Sequence, residues 1–338
     1  MRCGMEKQDK HLNDSGNIAL SSRIRLARNI SGIPFPWKMD EERGLFVAES
    51  VREAVDSNGE LDKYGFGFKF VFDMDEDEKD DLLANHLISI DLIKNPKTGG
   101  ILISSGKTVS ILVNEEDHLR IQTVVKGFNL EDAWREADSV DDLIEENLDY
   151  AFDGNYGYLT ACPSNIGTGM RASVMLHLPA LASTKYIKRV FDITNTIGLT
   201  VRGLYGEGTE AEGDIYQISN QITTGRTELE IIGDLERITK QVMDKEIKTR
   251  EYLMAKQRTR TEDVIFRALG ILSSARLINR PESMKLLSRV RLGVDLELVG
   301  GVEMNDLDVL IKDMQIAGKG ETVDSAEKRA STIREFFN

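Results

Sequence analysis

Arg23 and Arg25, one residue apart in "SSRIRLARNI" (21–30), pose a problem of charge. In an extended strand alternate side chains share a face, so the two guanidiniums stand beside Ser21 roughly 7 Å apart. Ile24 and Leu26 turn the other way, toward a core. Like charges so placed repel unless an anion lies between them. Arg120 ends "NEEDHLR" (114–120), Arg171 opens "RASVM" and Arg202 opens "RGLYGEG". Each borders a strand-like run or a glycine-rich turn. Together the five offer permanently protonated forks of donors that match phosphate oxygens. Taken singly, each reads first as a solvated surface arginine; five beside small or glycine-rich sequence weigh against that reading without removing it.

Three further stretches carry other chemistry. "NEEDHLR" crowds Asn114, Glu115, Glu116, Asp117 and His118 into one turn after apolar Val109 to Val113. That is either a solvated hairpin turn or a place for a cation, a metal-bound water or a proton in transit. "CPSNIGTGMRASVMLHLP" (162–179) is an exposed loop of small polar residues and glycines. No lysine follows the glycines, which excludes a P-loop. Cys162 is a small buried hydrophobe or, with Ser164 nearby, a low-pKa thiolate. In "RGLYGEGTEAEGDIYQISNQ" (202–221), glycines surround Glu207, as suits a lid or a plain surface hairpin.

The elements that must hold these residues follow from periodicity. Helical patterns span 40–56, 78–89, 131–150, 184–197 and 227–249. Strand-like runs span 18–28, 66–72, 108–114, 118–125, 171–178, 198–205 and 214–221. So many strands favour an α+β fold, a curved and mainly antiparallel sheet flanked by helices, over a doubly wound parallel sheet. The acidic run 73–81 reads as a loop and the first turn of a helix, where carboxylates suit the helix dipole. From about 262 only amphipathic helices remain, enough for a small all-α C-terminal domain. The polar stretch "AKQRTRTED" (255–263) marks the boundary between domains at 14–254 and 262–338.

Composition narrows the partners. Of 338 residues 41% are hydrophobic and 30% charged, with a net charge of −14. That balance disfavours nucleic acid and tolerates a basic protein partner. No apolar run approaches the roughly 20 residues that span a bilayer. The first ten residues lack the apolar core of a signal peptide. Two cysteines, Cys3 and Cys162, suggest no disulfide framework and fit a reducing cytosol. The expectation is a cytoplasmic protein without membrane or nucleic-acid partners.

In their order, "SSRIR", "NEEDHLR", "CPSNIGTGMRAS" and "RGLYGEG" resemble the motifs of the ATP:guanidino phosphotransferases, the arginine and creatine kinase family, over about residues 14–250. Within that family the resemblance is to the bacterial protein arginine kinases of the McsB type, whose helical C-terminal domain "LLSRVRLGVDLELV" also resembles. The animal-type enzymes place a helical domain before the first motif. Twenty residues precede it here, which implies an open acceptor site suited to a protein-borne arginine.

The resemblance implies ATP as phosphoryl donor, held by Ser21, Ser22, Arg23, Ile24, Arg25, His86, Arg120, Arg171, Ala172, Ser173, Val174, Met175, Arg202, Gly203, Leu204, Tyr205, Gly206 and Glu207. Mg²⁺ would be bound through nucleotide and water, with Glu115 ordering one such water. Glu116 and Glu207 would grip the acceptor guanidinium, Glu116 acting as base, and Cys162 would complete a negative cradle. The type also implies a homodimer and, as partners, a zinc-binding activator protein, a heat-shock repressor and the Clp unfoldase. It carries an Arg-Asp-x-x-Arg-Ala element that forms a phosphoarginine pocket. Here Ser325 and Ala326 replace the first two residues while Arg329 and Ala330 remain, so feedback by phosphoarginine is not expected. A kinase for free arginine or another small guanidine, and a non-catalytic interaction module, are the alternative readings.

Overall fold

The computed structural model describes residues 17–203, 211–315 and 322–338. Its strands are β1 (Ala19–Arg28), β2 (Gly67–Phe70), β3 (Gly100–Ile103), β4 (Val109–Val113), β5 (Leu119–Lys126), β6 (Phe152–Asp153), β7 (Gly157–Tyr158), β8 (Met170–His177), β9 (Leu199–Gly203) and β10 (Ile215–Asn220). The helices are α1 (Glu41–Asp56), α2 (Glu76–Ala84), α3 (Ile90–Ile93), α4 (Leu130–Glu145), α5 (Pro179–Ser183), α6 (Ile187–Thr196), α7 (Glu228–Lys256), α8 (Arg258–Ser274), α9 (Arg280–Asp295), α10 (Met304–Gln315) and α11 (Val323–Phe337). Eight strands hydrogen-bond in the order β2-β3-β4-β5-β1-β8-β10-β9, and β6 pairs with β7. The mixed fold, its large sheet and its helical C-terminal region are those the periodicity predicts.

The chain divides into two compact units. One comprises Ser21–Val174 with Ser219–Arg237. In it β2, β3, β4, β5 and β1 pair antiparallel in succession. Ile24 and Leu26 are fully buried on one face, where α1 and α4 pack against β4 and β5. Arg28 shares that face and is held by the Asp141 carboxylate of α4, 2.6 Å away, with its guanidinium 3.6 Å above the Tyr158 ring. Ala27 lies opposite Arg120, and Arg120 opposite Leu112. Cross-strand partners share a face, so the arginine side of β1 continues into a small core in which Leu112 and Ile101 pack with Leu82, Leu87 and Leu92.

The second unit comprises Met1–Leu20, Met175–Ile218 and Ile238–Asn338. Its core joins Ile265, Leu272, Leu287, Val290, Leu307 and Ile333. A buried polar chain runs beside it. Arg291 Nη1 donates to His177 Nδ1 (3.0 Å), His177 Nε2 to Ser288 Oγ (2.9 Å), and Ser288 Oγ to Asp214 Oδ2 (2.7 Å). Burial, opposed by the Ser288 hydrogen bond, pushes Asp214 up to about 6 from an ordinary 3.8. A carboxyl raised on folding contributes stability that is complete below its unfolded pKa and lost as pH rises through the folded value. Asp214→Asn stays neutral and keeps an acceptor for Ser288. Its stability relative to wild type should therefore rise by about 2 kcal/mol between pH 4 and pH 7.5. Denaturant titrations at both pH values check this, and a pH-independent difference would refute it.

Some boundaries differ from the sequence expectation for identifiable reasons. The acidic run behaves as predicted, since Asp75 caps α2 by accepting from Glu78 N and three acids fill the first turn. The pattern 78–89, however, breaks after Ala84, where His86 takes a positive φ of 56° and Ser89 caps the separate α3. The pattern 184–197 is interrupted at Lys185, φ 59°. The stretch 255–263 is helical except for a break at Gln257, so α7 ends at Lys256 and α8 begins at Arg258. Strand β3 is too short to show an alternation. Helix α10 buries Leu307, Leu310, Ile311 and Met314 at helical spacing. No described helix is long and apolar enough to cross a membrane.

Candidate active site

Strand register assembles the cations. Arg23 and Arg25 project from β1 on the side where Arg120 projects from β5, and Arg25 lies opposite Gln122. Burial together with Arg23, Arg120 and Arg171 holds the Arg25 guanidinium well below its usual pKa, with Glu115 opposing them. Four cations are thus within electrostatic reach of one another. The Nε atoms of Arg25 and Arg120 are buried without a hydrogen-bond partner. Buried donors without acceptors are costly, and an oxyanion placed among them would remove that cost. Glu115 balances part of the charge, its carboxylate meeting Arg120 and the Ser89 hydroxyl. The Gln122 amide donates to the His86 carbonyl at 2.5 Å, drawing the "NHLIS" turn onto the arginine face.

The β4–β5 turn presents the acids. Asn114, at φ 58°, opens it, and its side-chain amide donates to the carbonyls of Gly44 (2.8 Å) and Thr98 (2.9 Å). Its backbone N–H closes the turn onto the His118 carbonyl. His118 is structural. Its Nδ1 accepts from Ile30 N at 2.9 Å, so Nε2 donates to Pro34 O at 2.8 Å, and burial lowers its pKa. Asp117 is 3% exposed, and its Oδ1 accepts from Asn29 Nδ2 (2.6 Å) and Ala161 N (2.7 Å). Of the five polar residues in the turn, only Glu116 remains exposed.

Asp117 fastens this turn to the cysteine loop. Cys162 follows the bonded Ala161, and its sulfur lies 3.1 Å from Ser164 Oγ, close enough to the Glu116 carboxylate to act on its ionisation. Partial desolvation, then the neighbouring Asp117 and Glu115 carboxylates, raise the still exposed Glu116 above the ordinary glutamate range, against the pull of Arg120 and Cys162. Thr223 Oγ1 braces the loop from behind, donating to Ser164 O (3.0 Å) and Ile166 O (2.7 Å). Gly169 must be glycine. Its φ is +62°, and a Cβ there would stand 2.6 Å from the Ala27 carbonyl oxygen.

The expected residues therefore fall into groups. Arg23, Arg25, Arg120, Arg171 and Glu115 come together, as do Glu116 and Cys162. Ser21 shares the arginine face by alternation. Ile24 is wholly buried, and Ser22 is committed to the Gly127 carbonyl and Asn129 N. Ala172, Ser173 and Val174 are buried along β8, and Met175 is partly buried. Arg202 and Gly203 end β9 in the other unit, while Leu204, Tyr205, Gly206 and Glu207 lie outside the described residues. Arg329 is buried and donates to Ile278 O at 2.9 Å; Ser325 forms a capping box with Thr322. Sequence reasoning missed Asn29, Gln122, Ser89 and Thr223 as positioning residues. Asn29 directly follows the β1 arginines, and that adjacency was the available signal.

Comparison with known proteins places the chain in a family. The family model for the C-terminal catalytic domain of ATP:guanido phosphotransferases matches residues 46–249, and that for the protein-arginine kinase McsB C-terminal domain matches 258–338. A protein-arginine kinase from Caldanaerobacter subterraneus subsp. tengcongensis is 49% identical over 301 residues, 89% of each chain. One from Clostridium novyi is 44% identical over 323 residues, 96% of this chain and 93% of that one. The substrate-free duplicated taurocyamine kinase of Schistosoma mansoni superposes with a TM-score of 0.64 at 27% identity, covering 75% of this chain. The match spans only 38% of that duplicated protein. With the catalytic-domain model spanning more than half of its length and these relatives spanning nearly all of it, the chain belongs to the ATP:guanido phosphotransferase family.

Proposed function

We propose that this chain is a protein-arginine kinase that moves the γ-phosphoryl group of ATP onto arginine side chains of proteins. One observation carries the reading. Adjacent residues at the tip of one turn face two different chemistries, Glu115 paired with Arg120 of the cation cluster and Glu116 exposed on the side of the Cys162 loop. The matched C-terminal domain and the names of the relatives support a protein-borne acceptor.

In this reading Arg23, Arg25, Arg120 and Arg171 neutralise the triphosphate, with His86, the β1 and β8 backbones and the stretch Arg202 to Glu207 completing the nucleotide set. An acceptor guanidinium is protonated at neutral pH and is no nucleophile in that form. Glu116 orients it and takes one proton as the N–P bond forms and the bond to the ADP oxygen breaks. Glu207 is the second gripping carboxylate. Among the described residues no group of three acids, histidines or cysteines could hold a metal ion. One Glu115 oxygen accepts from the Ser89 hydroxyl and the other faces the Arg120 guanidinium in an ion pair. The residues thus fit an Mg²⁺ that arrives with the nucleotide, which would supply further neutralisation of phosphate charge, with Glu115 beside one of its waters. Cys162 acts through its position beside the acceptor site, so Cys162→Ser should lower kcat about tenfold without abolishing turnover. Complete loss in a ¹⁸O- or ³²P-transfer assay would contradict that role.

The proposal extends to domains at 14–254 and 262–338, supported by the separately matched family models and the break at Gln257. It also extends to a cytoplasmic, dimeric enzyme that marks proteins in stress response and quality control. The partners would be a zinc-binding activator, a heat-shock repressor and a Clp unfoldase. With Ser325 and Ala326 standing where the phosphoarginine element has arginine and aspartate, phosphoarginine feedback is not part of it. The deciding experiment is incubation with ATP, Mg²⁺ and an unfolded basic protein, followed by mass spectrometry under non-acidic conditions. Phosphate on arginine is expected. Phosphate only on serine or threonine, or transfer to free arginine alone, would reject the reading.

A further inference from the structure

The β6–β7 hairpin and the loop leading into α7 enclose an open cleft of about 560 Å³. One wall is aromatic. Phe152 is 60% and Tyr156 63% exposed. Phe152 packs edge-on against Tyr158 with ring centroids 5.2 Å apart, and contacts of Tyr158 with the buried Arg28 and with Tyr150 fix that ring in place. The opposite rim carries Glu228 and Glu230 at the start of α7. Arg226, the one cation among the cleft's described lining residues, is neutralised by Asp234. The cleft thus combines rigid apolar anchors with a negative edge, a combination that favours an apolar and a basic side chain side by side.

Its position gives the ligand. Thr223 and Thr168 of the lining sit on the back of the cysteine loop, Thr223 bonded to Ser164 O and Ile166 O. Tyr158 N donates to Gly167 O at 2.8 Å. Ser164 Oγ is 3.1 Å from the Cys162 sulfur. A protein-borne arginine brings its main chain with it, and a chain passing the acceptor pocket meets this cleft on the other side of a single loop. We propose that the cleft receives the polypeptide flanking the acceptor arginine and selects segments with an apolar and a basic residue near it. This rests on the protein-arginine kinase reading and names the substrate preference of that enzyme.

The test uses two length-matched peptides, each with one arginine as acceptor. One has leucine and lysine on both sides of it, the other glycine and glutamate. The full chain should show a KM about tenfold lower for the first peptide, at similar kcat. Phe152→Ala with Tyr156→Ala should remove most of that preference, leaving kcat and the KM for ATP unchanged. Glu228→Lys, a surface change that should not disturb folding, should separately weaken the lysine preference. An intact chain indifferent to the flanks, or a preference untouched in both variants, would overturn the docking proposal alone. Failure of the intact chain to phosphorylate arginine in either peptide or in protein would overturn the kinase reading beneath it.

Discussion

Glu116→Gln should leave ATP binding intact and reduce kcat by about 10³-fold, the middle of the range for a positioned general base. The amide is nearly isosteric, so the turn keeps its shape, and the fastening by Asp117 does not involve the changed group. What disappears is a proton acceptor at the one exposed acid of the turn. A pH signature accompanies the loss. Partial desolvation and the flanking carboxylates raise Glu116 above the ordinary glutamate range, and the base works only when ionised. Wild-type kcat/KM should therefore fall, as pH is lowered, at a less acidic point than a free glutamate would dictate. The residual rate of the variant should lack that limb. A variant that retains a tenth of the wild-type kcat, or the same acid limb, would remove Glu116 from the base role.

Arg25→Gln should produce opposite effects on activity and stability. The Arg25 guanidinium is held among Arg23, Arg120 and Arg171, its pKa depressed by burial and by their charge, and its Nε has no partner. Without nucleotide this arrangement is a liability, because buried cations repel and an unmet donor costs free energy. With nucleotide the same charges face an anion. Losing one should lower kcat/KM for ATP by about 10²- to 10³-fold, as for other fixed donors to developing anionic charge. The nucleotide-free variant should nevertheless melt about 2–4 °C higher, equivalent to about 1 kcal/mol. Thermal melts with and without ATP read both effects, since saturating ATP should stabilise wild type far more than the variant. A variant that melts lower than wild type without ATP, or is protected equally by it, would show that the cluster is not built for an anion.

The sequence was most legible where one physical rule acted alone. Alternation placed Arg23 and Arg25 opposite Ile24 and Leu26 because a strand buried on one face admits no other register. The Asp75 cap and the acids after it were legible for the same reason, since cap chemistry is local. Legibility failed where long-range bonds decide a residue's fate. Glu116 and Asp117 are neighbouring acids, yet the first is exposed and the second is committed to Asn29 and Ala161, residues 88 and 44 positions away. Periodicity also could not end the 78–89 helix, because the left-handed His86 depends on a Gln122 amide reaching across from β5. The roles of individual acids and of Cys162 came from motif resemblance. Residue spacing alone left a solvated turn and a buried thiol equally open.

The bond from Ala161 to Asp117 gives Cys162 a lopsided tolerance to chemical change. A loop free to swing could carry a modified sulfur out of the way. This one is clamped at the residue before the cysteine by the residue after Glu116, so any atom added to the sulfur presses on the carboxylate beside it. Shrinking the side chain would merely slow the enzyme, whereas alkylating it would plug the pocket, making a dispensable thiol a handle for irreversible inhibitors.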